Sequence, residues 1–119
     1  MPFSRVAQLY IGCKIMRPDN HNILTLYGVI NGMLMFKEYG EITYGDPHLF
    51  KPILYPLSSM DQSQKEICDN LVNIYKVIPY QVHAELVKYL LSERFDLFHL
   101  IKSGNAIDAT TLFHNPYYA

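Results

Sequence analysis

The sequence predicts an α+β fold: a small SH3-like β-barrel or bent sheet of about five strands, followed by two to three α-helices. Three observations carry that expectation. Apolar residues alternate with a period of two up to residue 57 and recur every three to four residues beyond it. Asn31-Gly32 joins two apolar runs, and both residues tolerate the positive φ that a two-residue hairpin turn requires. Ile67, Leu71, Ile74 and Ile78 mark one face of a helix that stops before Pro79. The period changes within Phe50–Met60, so a strand-rich half (1–57) leads into a helical half (58–119) of a single domain. A chain of 119 residues is long enough to bury a core without disulfide or metal staples.

Leu9, Ile11, Cys13 and Ile15 alternate with Tyr10, Gly12, Lys14 and Met16, the pattern of a half-buried strand that Arg17-Pro18-Asp19-Asn20 ends. Ile23–Ile30 and Met33–Tyr39 form the hairpin around Asn31-Gly32. A two-residue turn sets Ile30 opposite Met33, Gly28 opposite Met35 and Leu26 opposite Lys37 on one face, with Val29 opposite Leu34 and Tyr27 opposite Phe36 on the other. Both faces are apolar near the turn, so the tip around Ile30, Met33 and Met35 is expected to be covered twice, once by the barrel interior and once by the helices or a second subunit. Tyr39-Gly40-Glu41 and Gly45-Asp46-Pro47 read as turns around a strand at Ile42–Tyr44. A last strand spans Leu49–Tyr55, and Pro52, which has no N–H to donate, places it at an edge or an irregular point. Gly28 is a candidate bend.

In the second half, Ser59 with Gln62 has the form of a capping box that starts a core-facing helix of about 18 residues. Val82, Leu86 and Leu90, with Val87 and Leu91, predict a second helix over Tyr80–Glu93. Asp96 caps a short third helix through Lys102, with Phe95 as its staple and Gly104 as its exit residue. The remainder reads as a tail with a strand at Ile107–Phe113.

Composition narrows the function classes. Net charge is −1, with five basic and four acidic groups in residues 1–58 and five and seven in 59–119, so there is no basic stripe and duplex nucleic acid is argued against as a partner. The apolar runs are far shorter than a membrane span of about 20 residues. No continuous apolar stretch with a cleavage site opens the chain, which is read as without a secretory signal. Cys13 and Cys68 imply no disulfide framework and fit reduced thiols in a cytoplasm.

Three blocks, Ile11-Gly12-Cys13-Lys14, Lys51-Pro52-Ile53-Leu54-Tyr55-Pro56-Leu57-Ser58, and Phe95-Asp96-Leu97-Phe98 with Leu100-Ile101, Gly104 and Ala106-Ile107-Asp108, resemble small uncharacterised proteins of phages, prophages and mobile elements of Bacteroides-type bacteria. They cover about a third of the chain in the same order. The resemblance implies an accessory protein acting in a bacterial host cytoplasm and brings no activity with it.

No catalytic constellation stands out. The histidines at 21, 48, 83, 99 and 114 show neither the i, i+4 spacing nor the CxxC companion of a zinc site. Asp46-Pro47-His48 reads as a turn before it reads as an acid/base pair. Cys68 lies on an apolar helix strip, where a thiol has a raised pKa and is inert. The glycines are isolated and cradle no phosphate. No metal, cofactor or enzymatic activity is expected. Ten tyrosines are the compositional excess. Tyr39, Tyr44 and Tyr55 fall at strand ends or turns, where a phenol can pack and stay wet, either closing the barrel's ends or forming an interface. Two readings follow. One is a non-enzymatic protein-binding or scaffolding module, with a protein partner or itself as partner, using Ile30, Met33 and Met35. The other is a protein that sequesters a small ligand such as a host signalling nucleotide, in a pocket rimmed by Tyr39, Tyr44, His48 or Tyr55 with Lys14, Arg17 or Lys37 near its anionic groups.

Overall fold

The structure, a computed structural model, describes residues 1–118. Strands β1 (Lys14–Met16), β2 (Ile23–Ile30), β3 (Met33–Glu38), β4 (Glu41–Gly45) and β5 (Lys51–Leu54) precede helices α1 (Gln62–Tyr75) and α2 (Pro79–Ser92), and a short β6 (Ile107–Asp108) returns to the sheet. The α+β class is therefore as expected, but no barrel closes. The six strands lie in one open mixed sheet in the order β4-β3-β2-β1-β5-β6, antiparallel except for β5 with β6. A closed barrel needs its end strands to pair, and here β4 and β6 stand at opposite edges.

The hairpin follows the turn chemistry. Asn31 and Gly32 have φ of 51° and 77°, and Ile30–Met33, Val29–Leu34 and Gly28–Met35 pair as expected. Beyond Gly28 the register slips. Leu26 meets Phe36 and leaves Tyr27 as the extra residue of a bulge, so the expected Leu26–Lys37 and Tyr27–Phe36 pairs do not form. The slip sends Leu26 and Phe36 together into the core, both fully buried.

The first strand is shorter than its alternation suggests. Phe3–Arg5 and Ala7–Tyr10 are 3-10 turns, and the chain turns again at Gly12 before β1 begins. Leu9 and Ile11 face solvent while Tyr10 is fully buried, the reverse of the expected phase. Its hydroxyl explains this: it donates to the Phe95 carbonyl at 2.7 Å and accepts from the Leu97 amide at 3.1 Å. A long-range polar anchor outweighs the local period.

β5 is an inner strand, so of the two places expected for Pro52, an edge or an irregular point, the first is not taken. Pro52 sits opposite Ile15 of β1, in a ladder only two pairs long, and Ile53 and Leu54 pair with Ile107 and Asp108 of β6. Successive residues of a strand point to opposite faces, yet Ile15 and Met16 are both buried, as are Ile53 and Leu54. Both faces are therefore covered here. Ile15 and Leu54 join the main core with Phe3, Tyr10, Leu34 and Phe36, and Met16 and Ile53 pack on the other side under Ala109, Leu112 and Tyr117.

Helix α1 starts two residues later than expected. Asp61 accepts from the Gln64 amide at 2.8 Å and Gln64 reaches back to the Asp61 amide at 3.0 Å, the capping box of the helix. Ser59 instead ends a 3-10 turn and donates to the Pro56 carbonyl. The helix spans 14 residues and is not core-facing, since neither α1 nor α2 has a buried residue. α1 packs on α2, and α2 reaches the rest of the molecule through the Ala7–Tyr10 turn and Leu91. The radius of gyration is 15.3 Å, against about 13.5 Å for a compact domain of this length, with a longest extent of 46 Å.

No third helix forms at Asp96–Lys102. The Asp96 carboxylate accepts from the amides of Phe98, Leu100 and Ile101, and His99 takes a positive φ of 56°, so the segment is an irregular turn. Phe95 is no staple but bridges Tyr55 in parallel. The expected strand Ile107–Phe113 is only β6, followed by a 3-10 turn at Ala109–Thr111 that the Asp108 carboxylate caps.

Candidate functional site

The joint between sheet and helices holds a cleft of about 380 Å³. Tyr55 leaves β5 and pairs with the end of α2: its amide donates to the Arg94 carbonyl and its carbonyl accepts from the Asp96 amide, both at 2.8 Å. That bridge sets Tyr55 beside Phe95, with ring centroids 6.2 Å apart. The C-terminal segment closes one wall. Tyr117 lies 5.7 Å from Tyr55, accepts from the Lys14 amide at 2.8 Å and donates to the Ile53 carbonyl, so its phenol is inserted between β1 and β5. Asn115 donates to the Tyr55 hydroxyl at 2.7 Å and holds the ring in place. Ser59, Asp61 and Gln64 line the opposite wall from the start of α1, and Ser92 and Glu93 from the end of α2.

Arg94 is the cation of this cleft. Its backbone is left-handed, with a φ of 66°, and its guanidinium donates to the Ser92 carbonyl at 2.6 Å while packing over Gly12. A side chain at position 12 would come within 3.0 Å of it. Its Nε is buried with no acceptor among the described residues. Asp61 and Glu93 bring two carboxylates to the same lining.

The electrostatics suit recognition better than proton transfer. Burial pushes the Tyr55 phenol above its ordinary range, against the pull of the Asn115 hydrogen bond. Burial holds Tyr117 higher still. Phenols so raised stay protonated at neutral pH and act as hydrogen-bonding and stacking groups. Cys13 is buried with its thiol pushed up to about 12, and burial together with the neighbouring Asp69 raises Cys68. Neither is primed as a nucleophile. Among the described residues no three His, Cys, Asp or Glu side chains cluster to hold a metal ion.

The expected rim of Tyr39, Tyr44, His48 and Tyr55 does not assemble. Only Tyr55 lines the cleft. His48 lies in a separate groove of about 530 Å³ with Arg17, Pro18, Asp19 and Leu49, where Asp46 caps the 3-10 turn that carries it. Tyr39 is the first residue of the β3–β4 turn and 94% exposed, and Tyr44 lies on the outer sheet face. Of the candidate cations only Arg17 meets an expected rim residue, sharing the groove of His48 while it stacks on Phe50 and pairs loosely with Glu38; Lys14 donates to Thr25 and Lys37 lies over Tyr27. Strand geometry separates these groups, since the β3–β4 hairpin and the β5 junction lie on different parts of the sheet. Nothing in the local sequence marks Arg94, Asn115 or Tyr117; long-range hydrogen bonds to Tyr55, Lys14 and Ile53 bring them to the cleft.

A second surface is the outer face of the β2–β4 meander. With the bulge, Tyr27, Ile30, Met33, Met35, Ile42 and Tyr44 share this face with Lys37. The expected double cover is absent from the described residues. Leu26, Leu34 and Phe36 fill the core side, whereas Ile30 and Met33 remain exposed and Met35 lies partly open over Gly28.

No helix among the described residues is long and apolar enough to cross a membrane. Compared with known proteins, the chain matches no family model, no curated protein and no solved structure.

Proposed function

We propose that the chain is a non-enzymatic protein-binding or scaffolding module, an accessory protein of a phage or mobile element that works in a bacterial cytoplasm. The genomic setting rests on the resemblance of the three sequence blocks. The binding reading rests on one observation: the outer face of β2–β4 carries Tyr27, Ile30, Met33, Met35, Ile42 and Tyr44 with a single lysine among them. The solvent side of an antiparallel sheet is ordinarily polar. An exposed apolar patch of this kind marks an interaction site, and its methionines adapt to a partner's shape. The test is capture from host cells with the wild-type chain and with Ile30→Lys/Met33→Lys, both checked for native circular dichroism. A partner retained by the wild type and lost by the variant supports the reading, and equal retention by both overturns it.

A second reading has its own observation. The cleft at the joint combines the rings of Tyr55, Phe95, Tyr117 and Tyr118 with the Arg94 cation and the Asp61 and Glu93 carboxylates, a lining suited to a planar hydrogen-bonding ring such as the base of a nucleotide. A thermal-shift screen against signalling nucleotides should raise the Tm of the wild type and not of Tyr55→Ala. Unchanged melting of the wild type throughout removes it.

A further inference from the structure

We propose that the partner seated at the β4 side of this face is a second copy of the chain, docked edge to edge so that two sheets continue as one antiparallel sheet through paired β4 strands. The proposal rests on the protein-binding reading above and assigns self-association to the β4 end of the face, the Ile30 and Met33 end being the part that the capture variant tests.

The backbone identifies the free groups. Tyr39 and Gly40, with φ of 54° and 81°, make a two-residue turn between Glu38 and Glu41. The pair that closes such a turn is hydrogen-bonded, and bonding alternates from there along the ladder. Glu41, Thr43 and Gly45 therefore bond to β3, while the N–H and C=O groups of Ile42 and Tyr44 point away from it. Among the described residues those groups make no hydrogen bond in any turn, loop or cap. β4 has one charged side chain, Glu41 at its start, and otherwise lacks the usual protection of an edge, having no proline, no lysine and no bulge. The opposite edge, β6, is two residues long and offers no comparable template.

The side chains select the register. An antiparallel pair centred on Thr43 sets Ile42 opposite Tyr44 of the second copy, and Tyr44 opposite its Ile42, with four main-chain hydrogen bonds. Glu41 then faces a glycine, and no two like charges oppose each other. Centring on Glu41 would set two carboxylates opposite each other, and centring on Tyr44 would place Ile42 against Asp46. Centring on Ile42 would pair Tyr44 with Gly40, leaving the ring without an apolar partner. The Thr43 register extends the apolar outer row from Met35 and Tyr44 of one copy onto Ile42 of the next. A five-residue strand is about 17 Å long, so the contact falls below the 1,200–2,000 Å² of a standard interface, and the dimer is weak and concentration-dependent.

Sedimentation equilibrium of the full chain tests this, from low micromolar to near-millimolar concentration. The wild-type mass should rise from that of a monomer towards twice that value. Ile42→Pro removes an N–H that faces outward and is tolerated on an edge, so it should stay monomeric with a native circular dichroism spectrum. Ile30→Lys, on the same face but away from the edge, should dimerise like the wild type. Thr43→Cys in a Cys68→Ser background should oxidise to a disulfide dimer, because opposed residues between hydrogen-bonded pairs lie about 4.5 Å apart at Cα, within disulfide range. Tyr39→Cys, though more exposed, should not. A wild-type monomer at every concentration, or a Thr43→Cys chain that fails to cross-link, overturns the dimer and leaves the capture result to decide the broader reading.

Discussion

Phe36 and Leu71 both occupy periodic apolar positions, yet Phe36 is fully buried among Leu26, Leu34 and Phe50, whereas Leu71 keeps part of its surface in water. The same contrast holds for their whole elements. The sheet is anchored by the N-terminal turns on one side and the C-terminal segment on the other, and its β1–β5 region is covered on both faces. The helical pair meets little beyond itself, leaving Val72 42% and Ile74 66% exposed. Amphipathic period alone does not place a helix in a core. Burial also requires a surface on the other side, and here the sheet's apolar face is already occupied by Phe3, Val6, Ala7 and Tyr10.

The sharpest way to break this comparison is to truncate matched side chains. Phe36→Ala should cost about 3–5 kcal/mol of stability and Leu71→Ala only about 1 kcal/mol, measured by urea unfolding. Equal costs would mean that the helices share the sheet's core in solution. Next in size is Tyr10→Phe, which leaves a buried carbonyl and an amide without their partner and should cost about 1–3 kcal/mol. The same residue gives a pH signature. Its phenol is pushed up to about 12, chiefly by burial, so its contribution is full below about pH 10 and is lost as pH rises through 12. Alkaline unfolding over that window should be shallower in Tyr10→Phe than in the wild type.

Thiol labelling compares the two regions within one molecule. Cys13 is fully buried in the sheet core and Cys68 partly open on α1, so Cys68 should react under native conditions and Cys13 only on unfolding. Simultaneous reaction of both would join the regions into one cooperative unit. The smallest effect concerns the cap. Asp61 is held below the ordinary carboxyl range, first by the Gln64 amide and then by the Ser63 hydroxyl, so its support for α1 is present above about pH 3.9 and fades as pH falls through the lower folded value. Asp61→Ala should remove that acid dependence from the helical circular dichroism signal and leave the sheet unchanged.

What could be read in advance follows from how local each cause is. Asn31-Gly32 was legible because its requirement is two dihedral angles, and the register held from Ile30 back to Gly28. It failed at Tyr27, where the bulge answers to packing in the core. The cap was displaced by two residues because Asp61 with Gln64 has the same form as Ser59 with Gln62, and only the preceding Leu57–Ser59 turn decides between them. Tyr10 and Arg94 owe their positions to partners more than 80 residues distant in the chain, Phe95 and Gly12. Tyr55 was legible as a junction residue, but the cleft around it was not, since Asn115 and Tyr117 arrive from a segment that reads as a loose tail.

The Tyr117 hydroxyl, seated between the Lys14 amide and the Ile53 carbonyl, sets the order in which this protein can be made. Together with the Tyr10–Phe95 and Met1–Asn105 contacts, it ties the beginning of the chain to segments 85 to 104 residues later. Such distant closures are slow to form and cannot start until the late residues leave the ribosome. The two adjacent helices, built from neighbours in sequence, form on the microsecond scale or faster. During synthesis the β2–β4 meander and the helices, whose contacts are local, therefore precede the β1–β5 seam, which waits for Tyr117.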